Sequence, residues 1–159
     1  MIIRDAQIKI LERASVDSFV AELCEHCREY APELLGSIND EQLEAAVRHG
    51  IAAAENYGFD KRGPVRFYVD MMIAFGSGFD TDPQYPWAAE ILANPEGMTQ
   101  MELSEALHNK ATEVFAIVFG PESAHSNEAL EKMLGKVKEG ISFKREGFRQ
   151  EMLSLFKDI

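Results

Sequence analysis

The chain has 159 residues, 46% hydrophobic and 27% charged, with 27 acidic side chains against 16 basic ones and a formal net charge of −11. That composition belongs to a soluble globule with enough surface to bury a real core, not to a disordered segment. No apolar run approaches the roughly 20 residues of a membrane span, and so acidic a chain repels phosphate backbones, which argues against nucleic acid as a partner.

The start, Met1-Ile2-Ile3-Arg4-Asp5, lacks the basic residues, apolar stretch and small-residue cleavage site of a secretory signal, so a cytoplasmic location is expected. From about Ile3 to Tyr30 the pattern is helical. Val16, Phe19, Val20, Leu23, Cys27 and Tyr30 recur at three- and four-residue steps, with a break expected near Ser15. Ala31-Pro32 ends this helix, because the residue before proline is pushed away from helical angles. A second helix starts at Asn39, a good N-cap with Gln42 at the capping-box position and Ile38 and Leu43 placed as a hydrophobic staple. Its stripe of Leu43, Ala46, Val47, Gly50, Ile51 and Ala54 is small and suited to close helix contact, and Tyr57-Gly58 closes it.

The third helix is expected to begin at Pro64, where a missing N–H is harmless. Val65, Phe67, Tyr68, Val69, Met71, Met72, Ile73 and Phe75 leave only Arg66, Asp70 and Ala74 as a stripe for water. A helix apolar over most of its circumference belongs inside a globule. It stops at Gly76-Ser77-Gly78 and opens into a loop, Phe79 to Trp87, carrying two aspartates, two prolines and three aromatics. Pro86 to Ala93 forms a short helix, and Asn94-Pro95-Glu96-Gly97 is a turn. Thr99 with Glu102, and Met98 with Leu103, then open a helix that runs to Phe119 before Gly120-Pro121 stops it. A further helix runs from near Ser126 to Gly140, and a last, aromatic-rich one from about Ser142 presents Phe143, Phe148, Met152, Leu155 and Phe156. Sustained alternation and hairpin signals are lacking. The expected fold is all-α: one helical domain over residues 1–159, a compact irregular bundle of six to eight helices with one central buried helix.

Charge is uneven along this order. Residues 1–124 carry 9 Lys and Arg against 21 Asp and Glu, and residues 125–159 carry 7 against 6. An acidic body suits a basic protein partner, and equally serves solubility.

The chemistry-bearing residues read as structural. Cys24-Glu25-His26-Cys27 has the spacing of a redox or zinc motif, but it lies inside a helix, away from the helix N-terminus that stabilises a thiolate, and no second cysteine pair completes a zinc site. Asp80-Thr81-Asp82 lacks the donor run of a calcium loop. Turn-forming aspartates, each bonding a backbone N–H two residues on, account for it better. Asp70 interrupts the most apolar helix, and Arg66 four residues earlier is its expected ion-pair partner. No catalytic set, cofactor or metal site is expected. Phe79, Tyr85 and Trp87 either pin their loop to the core, the favoured reading, or form with Asp80 and Asp82 a rigid docking patch. Phe148 and Phe156 of the terminal helix are a second candidate protein-binding surface.

The opening Met1–Asp5, the Tyr57-Gly58 turn, and above all Tyr68-Val69-Asp70-Met71-Met72, Phe75-Gly76, Phe79-Asp80-Thr81-Asp82-Pro83 and Tyr85-Pro86-Trp87-Ala88 resemble a group of small bacterial proteins encoded beside type VI secretion spike and effector genes. The resemblance covers roughly residues 1–92. It implies a cytoplasmic, non-catalytic accessory role, as adaptor, effector chaperone or co-chaperone, with a secretion effector, another chaperone or a spike component as partner. Immunity proteins share such loci, size and acidity, so neutralisation of a cognate toxin is the alternative. A metal-dependent enzyme using Asp70, Asp80 or Asp82 is the third.

Overall fold

A computed structural model describes residues 5–95 and 97–138, with side chains described for residues 14–135 of these. These residues are all-α. The helices are α1 (Asp5–Tyr30), α2 (Pro32–Leu35), α3 (Asp40–Glu55), α4 (Arg62–Phe75), α5 (Pro86–Ala93), α6 (Gln100–Phe119) and α7 (Ala124–Lys138). Six have at least eight residues, and α2 is a single extra turn with its proline at the first position, where the missing N–H is harmless. The last helix expected, from about Ser142, lies outside the described residues, as do Phe148 and Phe156.

Compactness divides the stretch read from sequence as one domain into two units, Met1–Leu107 and His108–Ile159, and α6 contributes to both. In the first unit, α1 runs without interruption through Ser15, where a break is expected. It contains neither proline nor glycine, and a lone serine costs a helix only a few tenths of a kcal/mol. Helix α3 opens as its sequence dictates. Gln42 N–H donates to Asn39 Oδ1 at 2.9 Å, and Asn39 N–H donates back to Gln42 Oε1 at 3.3 Å. Helix α4 starts two residues before Pro64, with Lys61 as its N-cap. The proline still falls in the first turn, where N–H groups have no intrahelical partner.

The core of this unit joins Val20, Leu23 and Cys27 of α1 to Leu35 of α2, Leu43 and Val47 of α3, and Val69 of α4, with Phe19, Ile38, Ile51 and Ile73 packed around them. Two members of the expected α1 stripe, Val16 and Tyr30, are exposed instead, since a long helix outruns the neighbours that cover it. Among the methionines, Met71 and Met72 fill the core, whereas Met98, Met101 and Met133 are exposed.

Helices α3 and α4 approach so closely at Gly50 that a Cβ there would lie 2.8 Å from Met72 Sδ and 2.9 Å from Val69 Cγ2. Methionine can swing aside, but a β-branched valine in a helix has one strongly preferred rotamer. Gly50→Ala is therefore expected to lower stability by about 1–2 kcal/mol, against the gain of about 1 kcal/mol that helix propensity alone would give. Equilibrium urea unfolding measures which effect wins.

In the second unit, Pro121–Ser123 is a tight turn in which Glu122 (φ 52°) and Ser123 (φ 61°) adopt left-handed backbone. His125 closes it, its ring packed over Gly120 and its Nδ1 3.2 Å from the Ile117 carbonyl oxygen.

Candidate functional site

The loop after α4 begins at Gly76, whose φ of +100° is open to glycine and strained for other residues. Its amide closes α4 on the Met72 carbonyl at 2.9 Å, and the chain turns at once to send Phe79 back into the core. Phe79 is 1% exposed. Its ring lies 5.1 Å from that of Tyr68, which also meets Tyr57 at 6.0 Å and Phe59 at 6.1 Å in tilted contacts. The candidate assignment of Phe79 to a docking surface is thus corrected: it is the pin, not the patch.

Asp80 follows Phe79 into a half-buried position and accepts a hydrogen bond from the Tyr57 hydroxyl at 2.8 Å. This corrects the expectation of a backbone N–H two residues on. Asp82 does make that bond, accepting from Gln84 N–H at 2.8 Å. Burial, then the bond to Asp80, pushes Tyr57 up to about 12, so it is a neutral donor and not a base. The fully buried Tyr68 phenol is raised further, by burial first and the nearby Asp80 carboxylate second. Its hydroxyl has no partner in hydrogen-bonding geometry among the described residues. Removing an unsatisfied buried hydroxyl costs little, so Tyr68→Phe is expected to leave stability unchanged or raise it by about 1 kcal/mol. A loss above that in thermal unfolding would mean that Asp80 accepts from both tyrosines.

Tyr85 and Trp87 complete the loop differently. Both are half-buried, and they hold Phe75 in edge contacts at 5.0 and 5.5 Å. Their remaining faces are partly accessible to another molecule, beside the exposed Pro83, Gln84 and Pro86. Of the five loop residues named from sequence, the structure therefore makes Phe79 core, Asp80 and Asp82 loop braces, and Tyr85 and Trp87 a half-open aromatic edge.

Asp70, on the opposite side of α4 from Tyr68, is not chiefly paired with Arg66. His26 Nε2 of α1 donates to Asp70 Oδ1 at 2.7 Å, with the two side chains 26% and 20% exposed. Burial raises the Asp70 carboxyl, opposed by the His26 hydrogen bond and charge and, last, by the Arg66 charge. Tyr30 stacks on the imidazole at 6.0 Å. Next to His26, the fully buried Cys27 thiol is pushed up to about 11, mainly by burial and then by Asp70, which keeps it protonated and inert. Neither Tyr57 nor His26 was named as a partner from sequence. A signal for His26 exists: a carboxylate interrupting an apolar helix needs a buried donor, and the chain has only four histidines.

Among the described residues no three His, Cys, Asp or Glu side chains gather closely enough to hold a metal ion, and no helix is long and apolar enough to cross a membrane. A groove of about 560 Å³ runs between α1 and α3 over Val20, Ala21, Cys24 and Leu43. Its carboxylates are already paired, Asp17 and Glu44 with Arg48 and Asp40 with Arg28. No protein-family model matches the chain, and neither curated proteins nor solved structures give a match.

Proposed function

We propose that this is a non-catalytic accessory protein of the cytoplasm that holds another polypeptide, as an adaptor, effector chaperone or co-chaperone of bacterial type VI secretion. The observation that carries the reading is the use made of the chain's chemistry-bearing carboxylates. Asp70, Asp80 and Asp82 each accept a hydrogen bond that fixes one element to another or shapes the loop. The partly accessible aromatics of this loop are Tyr85 and Trp87, on a unit (residues 1–107) with 8 Lys and Arg against 19 Asp and Glu. A partly exposed aromatic anchor amid negative charge suits a basic partner, with the anchor supplying contact area and the field supplying rate. The architecture that goes with this reading is an irregular bundle with α4 at its centre.

Copurification from the native host tests it. A stoichiometric protein partner is expected, released by salt and lost with Trp87→Ala while far-UV circular dichroism is unchanged. Recovery of the chain without such a partner counts against the reading. The same acidity fits a basic toxin, so co-expression with the neighbouring toxin separates the immunity alternative: growth rescue supports immunity, and higher toxin yield without protection supports chaperoning.

A further inference from the structure

We propose that Trp87 and Glu90 of α5 form a seat for an arginine side chain of the partner polypeptide, an inference that rests on the protein-binding reading above. The chain already contains one such seat, filled from within. On α1, Phe19 is half-buried and Glu22, three residues on, is exposed. Arg62 of α4 lays its guanidinium over the Phe19 ring, 4.8 Å from the centroid, and its Nη1 donates to Glu22 Oε2 at 2.6 Å. Residues three apart on a helix are surface neighbours, so one side chain can meet both. The planar guanidinium gives its face to the ring and its in-plane N–H groups to the carboxylate at the same time.

Helix α5 repeats the pattern without the arginine. Phe19-Val20-Ala21-Glu22 of α1 has its counterpart in Trp87-Ala88-Ala89-Glu90. Again the aromatic is half-buried, here braced by Phe75 and Tyr85, and again the glutamate is exposed. At about 100° per residue, Ala88 and Leu92 mark the buried side of α5, Trp87 lies at its margin, and Glu90 lies beyond Trp87 on the outer side. Among the described residues Glu90 has no ion pair, and no cation stands over Trp87. Charge names what fits. From residue 67 to residue 107 the chain holds seven Asp and Glu and no Lys or Arg, so the occupant is a cation brought by another molecule. The ring beside the carboxylate selects arginine over lysine, because a compact ammonium holds its water and cannot stack. Indole is also a stronger cation–π surface than the phenyl ring that Arg62 already uses.

NMR titration of the full chain with two capped pentapeptides, carrying one arginine or one lysine among glycines, tests the seat. The arginine peptide is expected to shift the amides of residues 86–91 saturably and to bind about fivefold tighter than the lysine peptide of equal charge. Glu90→Gln should weaken it by about threefold, with unchanged helicity because the position is exposed. Trp87→Ala should abolish the preference for arginine. Absent shifts, equal affinity for the two peptides, or affinity undiminished by Glu90→Gln each overturn the seat. The two readings fail separately. A copurified partner released by Trp87→Ala but held as tightly by Glu90→Gln keeps the accessory role and refutes the arginine seat. An arginine-selective seat in a chain that copurifies with nothing upholds the seat and counts against that role.

Discussion

Replacing Phe79 with alanine is expected to lower the stability of the chain by about 3–5 kcal/mol, the range for emptying a fully buried aromatic position. The residue follows immediately on a glycine-rich turn, at a point where sequence alone allows either an exposed tip or an anchor. The structure resolves this by burial: Phe79 is 1% exposed and lies against Tyr68, itself 0% exposed. Loss of the ring leaves a cavity beside Tyr68, whose hydroxyl has no partner in hydrogen-bonding geometry among the described residues, and loosens the turn that places Asp80 under Tyr57. The loop should loosen with it. Trp87 is the only tryptophan, so its fluorescence reports this directly, and a red shift in the folded variant is expected beside the fall in urea midpoint. By contrast, Trp87→Ala should cost less, about 2–3 kcal/mol, since a ring that stays partly exposed has less apolar area to lose. If Phe79→Ala unfolds within about 1 kcal/mol of wild type, with Trp87 emission unmoved, the pin is elsewhere.

The contrast between these two aromatics also shows what the sequence could convey. Local signals acted locally. The capping boxes of Asn39–Gln42 and Thr99–Glu102 both form, Pro86–Ala93 is helical to the residue, and Gly120-Pro121 ends α6. Each of those signals lies within four residues of its own effect, and the physics is that of the helix end itself. The apolar circumference of α4 was legible for the same reason, with Arg66 and Ala74 exposed and Asp70 between them partly so. What was not legible is set by residues far apart in the chain. His26 reaches Asp70 across 44 residues, and Tyr57 reaches Asp80 across 23. Periodicity says which face of a helix turns inward but not which residue of the next helix stands opposite. That is why Arg66, four residues from Asp70, was the natural partner to name and His26 was not. Phe79, Tyr85 and Trp87 pose the same problem. They are similar in composition and spacing, and only the path of the loop divides them into core and edge.

The His26–Asp70 contact gives the second large effect, and one with a sign that depends on pH. Stripping a buried carboxylate of its partner costs about 3–5 kcal/mol when the charge left behind is fully enclosed. Asp70 keeps 20% of its side chain exposed, so the expected loss for His26→Ala near neutral pH is smaller, about 2–3 kcal/mol. Burial already raises the Asp70 carboxyl above its reference value of 3.8, and the His26 hydrogen bond and charge are the largest influences that oppose it. Without His26 that opposition falls to Arg66 alone, and the folded-state value rises further. A carboxyl raised on folding binds its proton more tightly in the native state than in the unfolded one, so stability must increase as pH falls through the window between the two values. The deficit of His26→Ala is therefore expected to be greatest where Asp70 is ionised in both proteins and to shrink on acidification toward pH 3.8. The double variant His26→Ala/Asp70→Ala leaves no charge unpaired and should recover about 1–3 kcal/mol relative to additivity. A pH-independent deficit, or additive single and double variants, would show that the imidazole acts by packing against Tyr30 and not by satisfying the carboxylate.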